Sequence, residues 1–204
     1  MTKSGPDDAH FPAPPKAWQA GDNRCMSIPP ALPTSPAEAP GTAADPADAQ
    51  QFRAALGLFA TGVCIVTARS GDGALVGLTA NSFNSVSLSP PLVLWSLARR
   101  AGSMPVFSRG SHYAIHILAA DQKALAQRFA TRDIDRFAGQ AWSEGAGGVP
   151  VLQGCAAVFE CANRSQYEEG DHVIFVGEVE RCSVTPQAQP LIFHSGRYYT
   201  ELPI

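Results

Sequence analysis

GLTANSFNSVSLSPPLVLWSL, residues 77–97, decides how this chain reads. Its first half is crowded with short hydroxyl and amide side chains: Thr79, Asn81, Ser82, Asn84, Ser85 and Ser87. Pro90-Pro91 then breaks the backbone, and Leu92–Leu97 is an apolar run of strand length, the mark of a buried strand. Small side chains let a backbone lie close against a flat polar ligand before it turns back into a β core. A segment that merely joins two strands needs no such composition.

Working outward, Val63–Ala68 (VCIVTA) reads as a buried strand, and Ser70-Gly71-Asp72-Gly73 as a hairpin turn into Leu75–Thr79. Upstream, Asp45 can cap a helix whose first residue is Pro46, where the missing N–H costs nothing. Phe52, Leu56 and Phe59 recur at helical spacing with Ala55 on the same face, and Gly62 ends the helix. Downstream, a short helix over 103–108 is capped by Ser103, with Pro105 in its first turn. His112–Leu118 is a strand, and 121–130 a helix with Leu125 and Phe129 inward. After the glycine-rich loop at 144–148 come two long strands, 155–162 and 172–184. A last hairpin, 191–194 with 197–200, turns at Ser195-Gly196. Many hairpin-linked strands with a few helices indicate a mainly β fold, an antiparallel barrel with flanking α-helices.

The totals set bounds. With 204 residues the chain holds one well-buried domain and a tail. Residues 1–46 carry ten of the 17 prolines among Ala, Ser and Asp, so 1–45 is expected to be a disordered arm with Trp18 and Ile28 as its only anchors. The folded domain is then 46–204. A net charge of −3 and a pI near 5.9 argue against a nucleic-acid or anionic-membrane surface. No run is long enough to span a bilayer and no apolar leader is visible, so a cytoplasmic protein is expected. Five cysteines without a CxxC pair fit free thiols.

Familiar catalytic machinery is missing: there is no GxSxG elbow, Walker loop or GxGxxG after a strand. His112 and His116 are four apart on a strand and read as polar positions of a half-exposed face, so no metal site is expected. Cys155 and Cys161 read as core packing on one strand face. For Thr79–Ser87, one ligand that fits is a flavin, whose pyrimidine edge needs short side chains or bare amides. Its phosphate needs hydroxyls and cations, and Arg99, Arg100, Ser103 and Arg128 are at hand. On composition alone, a serine-rich surface loop beside a solvated arginine pair fits equally well.

From Phe52 to Tyr199 the chain resembles the flavin reductase-like family with the FMN-binding split barrel. The matching stretches are FRAALGLFATGVCIVTA (52–68), residues 77–97, QRFA (127–130), DRFAG (135–139), GDHVIFVGEV (170–179) and PLIFHSGRY (190–198). The resemblance implies a reductase that uses NADH or NADPH to reduce FMN or FAD for a separate flavin-dependent monooxygenase. It also implies a homodimer, with helix 46–60 near the boundary. Gly77, Leu78, Thr79, Asn81 and Ser82 would line the ring and ribityl chain, and Ser96, Leu97 and Ala98 would contact the flavin by backbone. Gly102, Ser103, Arg128 and Phe129 would hold the phosphate end. His172 would orient the nicotinamide, and Phe193, His194, Ser195 and Gly196 would border the same pocket. His116 and His194 depart from the family pattern, which bears on nucleotide preference. Two alternatives stay open: a split barrel that keeps its FMN and reduces another acceptor, and a non-catalytic flavin- or haem-binding barrel.

Overall fold

The structure is a computed structural model and describes residues 48–200. The arm at 1–45, its anchors Trp18 and Ile28, and the cap Asp45 with Pro46 lie outside the described residues. The first helix, α1 (Ala49–Gly57), is instead capped by Asp48, whose carboxylate accepts from the N–H groups of Gln50 (2.8 Å) and Gln51 (3.2 Å). It ends at Gly57, earlier than expected. Gly62 belongs to β1 (Thr61–Gly62), which pairs with the C-terminal hairpin at Ile192 and Phe193. No residue of α1 is buried, and Phe52, Leu56, Leu58 and Phe59 all lie open on the surface.

The strands follow as β2 (Cys64–Arg69), β3 (Leu75–Ala80), β4 (Asn84–Leu88) and β5 (Pro91–Ala98). Next come α2 (Met104–Arg109), β6 (His112–Ile117), α3 (Lys123–Ala130), β7 (Trp142–Glu144) and β8 (Pro150–Leu152). The chain closes with β9 (Ala157–Glu169), β10 (His172–Val184), β11 (Ile192–His194) and β12 (Arg197–Tyr199). The serine-rich stretch is thus partly a strand. β4 pairs with β5 as an edge hairpin, Asn84 opposite Leu94 and Leu88 opposite Pro91.

Seven strands form one antiparallel sheet in the order β3-β2-β6-β9-β10-β5-β4. Residues four strands apart in that order meet in one core: Val66 of β2 and Trp95 of β5 share a cluster with Tyr113, Cys161 and Phe175. Such meeting requires the sheet to curl on itself, while β3 and β4 remain its unpaired ends. Trp95 stacks on Phe175 (4.9 Å) and meets Phe107 of α2 edge-on (4.9 Å). The strict alternation along β5, with Val93, Trp95 and Leu97 inward, follows from the period-2 geometry of a strand.

The other face of β2 and β6 carries a second cluster. There Ile65, Leu118, Ala126, Phe129, Leu152 and Leu191 pack together beneath α3 and β8. His116 lies in this layer, fully buried, which overturns the reading of a half-exposed polar position. It is held on two sides: Nδ1–H donates to Ile65 O (3.0 Å), and Nε2 accepts the N–H of Leu152 (3.0 Å). Burial pushes its pKa down to about 4, so the ring is neutral. Cys155 and Cys161 are buried but in different clusters, so they do not share one strand face.

Candidate functional site

A cleft of about 950 Å³ opens between β3, the end of β5 and the loop that follows α3. Its size falls in the upper part of the range for small-molecule sites, about 300–1,000 Å³. Leu75–Leu78 of β3 form the floor, and Leu97 and Ala98 close β5 at one side. Arg100–Ser103 and Val106 of α2 form the near wall, and Arg132–Phe137 the far wall. Gly77, Leu78, Leu97, Ala98, Gly102 and Ser103, chosen from the sequence for a ligand, therefore line one cavity.

The floor is glycine for a packing reason. A Cβ on residue 77 would stand 2.6 Å from Cε1 and 2.9 Å from Cδ1 of Phe129. The bare backbone lets α3 press its buried Phe129 against the underside of β3. Phe129 in turn meets Phe137 edge-on (5.1 Å), which seats the far wall. At Gly102 a Cβ would meet nothing within 4 Å, so that backbone faces open space.

Other chosen residues build the cleft without lining it. The Thr79 hydroxyl donates to Ala126 O (2.6 Å) and so pins β3 to α3. The Ser82 hydroxyl accepts the N–H of Ser96 (2.9 Å) and donates to Ser96 O (3.2 Å), closing the chain between β3 and β4 onto β5. Asn81 is exposed beside this junction. Arg128 points its guanidinium at the far wall, donating to Arg136 O (2.9 Å) and Asp135 O (2.7 Å). A sequence pattern identifies a hydroxyl or a guanidinium as available, but nothing local says that the fold itself takes it up.

His172 starts β10 directly opposite Ala98, so it stands on the strand beside the cleft's rim. Its Nδ1 bonds Asp171 Oδ1 (2.7 Å), and Arg99 N–H donates to Asp171 O (2.9 Å). The Asp171 carboxyl is held below its usual range, first by the His172 hydrogen bond and then by the charge of that ring. The turn at Phe193–Gly196 does not line the cleft. Ser195 bonds back to Gly57 O through N–H (2.9 Å), and Phe193 packs against Tyr198 (5.3 Å). Ser195 and Gly196 both adopt the left-handed backbone of a tight hairpin.

Arg132, Asp133, Ile134, Asp135, Arg136 and Phe137 were missed as cleft residues. The available signal was the charge alternation RDIDR, residues 132–136, set between two buried phenylalanines. Arg100 and Arg132 line the cleft and make no hydrogen bond among the described residues, unlike Arg99, which pairs with Glu168 (3.2 Å). The cleft thus joins a floor whose backbone is bare at Gly77 to the guanidiniums of Arg100 and Arg132, a pattern that suits a flat ring bearing a phosphate. Among the described residues no cluster could hold a metal. Burial raises the thiols of Cys64 and Cys161 to about 12 and of Cys155 to about 11, which removes them as nucleophiles.

A family model described as "Flavin reductase like domain" matches residues 56–201. The chain is 46% identical over 151 residues to FMN reductase (NADH) SmoA of Agrobacterium fabrum, which spans 74% of this chain and 85% of that protein. It is 38% identical over 156 residues to the flavin-dependent monooxygenase reductase subunit HsaB of Rhodococcus jostii, spanning 76% and 80% respectively. Among solved structures it is similar to the Streptomyces globisporus C-1027 NADH:FAD oxidoreductase SgcE6 in complex with NAD and FAD fragments. That match has a TM-score of 0.75 and 38% identity over 79% of this chain and 98% of the other.

Proposed function

The chain belongs to the flavin reductase-like domain family, and from that premise we propose that it is an NAD(P)H:flavin oxidoreductase. The acceptor is FMN or FAD, the donor is NADH or NADPH, and the reduced flavin serves a separate flavin-dependent monooxygenase. One observation carries the reading. The ends of the matched segment 77–97 and residues 135–137 of the matched segment 135–139 converge on a single cleft whose lining joins the bare backbone of Gly77 to the cations Arg100 and Arg132.

A bound flavin supplies the redox chemistry, accepting hydride from the reduced nicotinamide, and the protein aligns the partners. Gly77, Leu78, Leu97 and Ala98 hold the ring. Gly102 and Ser103, with Arg100 and Arg132, hold the phosphate end. Thr79, Ser82, Ser96, Arg128 and Phe129 maintain the shape of the site from behind, and Asn81 edges its entrance. His172, kept in place by Asp171, orients the nicotinamide at the rim. No general base is required for hydride transfer between the two rings. The Phe193–Gly196 turn braces α1 through Gly57 and acts on the site indirectly.

The active form is a homodimer. Supporting this, Phe52 and Leu56 of α1 and Phe59 just beyond its end are exposed, apolar surface that a monomer gains nothing by showing to water. The reductase domain occupies 46–204, with 1–45 as an appended arm. Cytoplasmic location accords with unpaired thiols at Cys64, Cys155, Cys161 and Cys182. Among the described residues no helix is long and apolar enough to cross a membrane.

The test is steady-state oxidation of NADH and NADPH with added FMN or FAD, in all four combinations. Turnover that depends on free flavin is the expected result. Flavin-independent reduction of another acceptor, or a bound flavin without nicotinamide oxidation, overturns the proposal.

A further inference from the structure

The far wall of the cleft, residues 131–138, has little backbone ladder to hold its shape. Side chains hold it instead. Arg128 donates to the carbonyls of Asp135 and Arg136, Asp135 accepts the N–H groups of Phe137 (3.0 Å) and Ala138 (3.2 Å), and Arg136 Nε donates to Thr131 O (2.9 Å). All these bonds lie within the wall or between it and α3. Arg136 ties the wall to the sheet: its Nη1 donates to Gly77 O (2.8 Å), on the floor strand 59 residues away in sequence. β3 is an edge of the sheet, so an outward carbonyl there must find its partner outside the ladder.

We propose that Arg136 is a positioning residue for the flavin: by tying the far wall to the floor at Gly77 it sets the width of the gap the ring enters. This rests on the flavin reductase reading above. The geometry separates Arg136 from a phosphate ligand, since its Nε and Nη1 are both committed to carbonyls, whereas Arg100 and Arg132 line the same cleft without hydrogen bonds. The bridge from Thr131 O to Gly77 O needs a planar, forked donor. A lysine keeps the charge but offers a single point, so it cannot span both carbonyls with the same rigidity.

The experiment compares wild type with Arg136→Lys, measuring affinity for FMN and for riboflavin by fluorescence without nicotinamide, then KM and kcat, then amide exchange. Loss of one charge-assisted hydrogen bond is expected to weaken binding of both flavins alike, by about tenfold or more. The wall amides 131–138 exchange faster, those of β2 and β6 are unchanged, and kcat at saturating flavin stays within about twofold, because uniform binding is what is lost. Wild-type affinity in the lysine variant overturns the proposal, as does a loss confined to FMN, which would make Arg136 a phosphate ligand. Faster exchange throughout the sheet overturns it too. If Arg136→Lys does not fold, Arg128→Lys, which frees the wall from the other side, carries the same expectation. A wild-type protein that binds neither flavin refutes the functional reading itself. Normal wild-type binding with an indifferent variant refutes only the role of Arg136.

Discussion

Lowering the pH should unload the core at one residue. His116 is neutral because each ring nitrogen is already committed: Nδ1–H to Ile65 O and Nε2 to the N–H of Leu152. Protonating Nε2 would set two N–H donors against each other inside a fully buried layer. Burial holds the pKa near 4 rather than the ordinary 6.5. The unfolded chain therefore binds a proton at this residue between those values while the native state does not, so stability falls as pH falls. Complete above pH 7, this contribution is lost by pH 4, and a gap of about 2.5 units at about 1.4 kcal/mol per unit amounts to about 3 kcal/mol. His116→Gln removes the titration and leaves one of the two backbone partners poorly matched, costing about 1–3 kcal/mol at neutral pH. Urea unfolding of both proteins from pH 7.5 to 4 is the assay. Groups common to both cancel in the difference, and the wild-type advantage should shrink by about 3 kcal/mol, with most of the change below pH 6.5. Parallel loss of stability in the two proteins would refute the buried neutral imidazole.

Four further outcomes follow from named contacts. Gly77→Ala places a methyl 2.6 Å from the Phe129 ring, so α3 must shift; a loss of about 1–3 kcal/mol in unfolding free energy with weakened flavin binding is expected. Ser82→Ala deletes both bonds to Ser96 and should cost about 1–3 kcal/mol in melting experiments, with the flavin KM raised as the chain loosens from β5. In His172→Ala, steady-state kinetics should show the nicotinamide KM rising by about tenfold and flavin affinity little changed; the reverse pattern sinks the assignment of His172 to the donor. Leu56→Glu with Phe59→Glu puts two charges on the exposed apolar surface at the end of α1 and should convert a dimer to a monomer by light scattering, with loss of flavin reduction.

Much of the fold was written in local pattern. Apolar runs of strand length, Gly-Asp and Ser-Gly turns and the alternation along 91–98 located β2, β3, β5, β6, β10 and the last hairpin to within a residue or two. The serine-rich stretch ahead of β5, read as a ligand wall, lines no part of the cleft; from residues 77–97 only Gly77, Leu78 and Leu97 do. What sequence could not assign was the occupant of each polar group. Thr79, Ser82 and Arg128 carry the right chemistry for a ligand, yet their partners are Ala126, Ser96 and the 135–136 carbonyls, brought near only when α3 and β5 pack on the sheet.

The same division holds for His116 and Arg136. Their identities announce a titratable ring and a forked cation, and nothing in the neighbouring residues tells a core site from a rim. Chain-local forces, meaning period, turn chemistry and helix capping, are set by residues within a few positions, so the sequence by itself determined most of the longer strands and their order along the chain. Burial and hydrogen-bond ownership depend on groups far apart in sequence, 83 residues for Thr67 and Pro150 O and 138 for Ser195 and Gly57 O. Only tertiary packing, which excludes water and fixes which carbonyl each donor can reach, decided which polar side chains were left to meet a ligand.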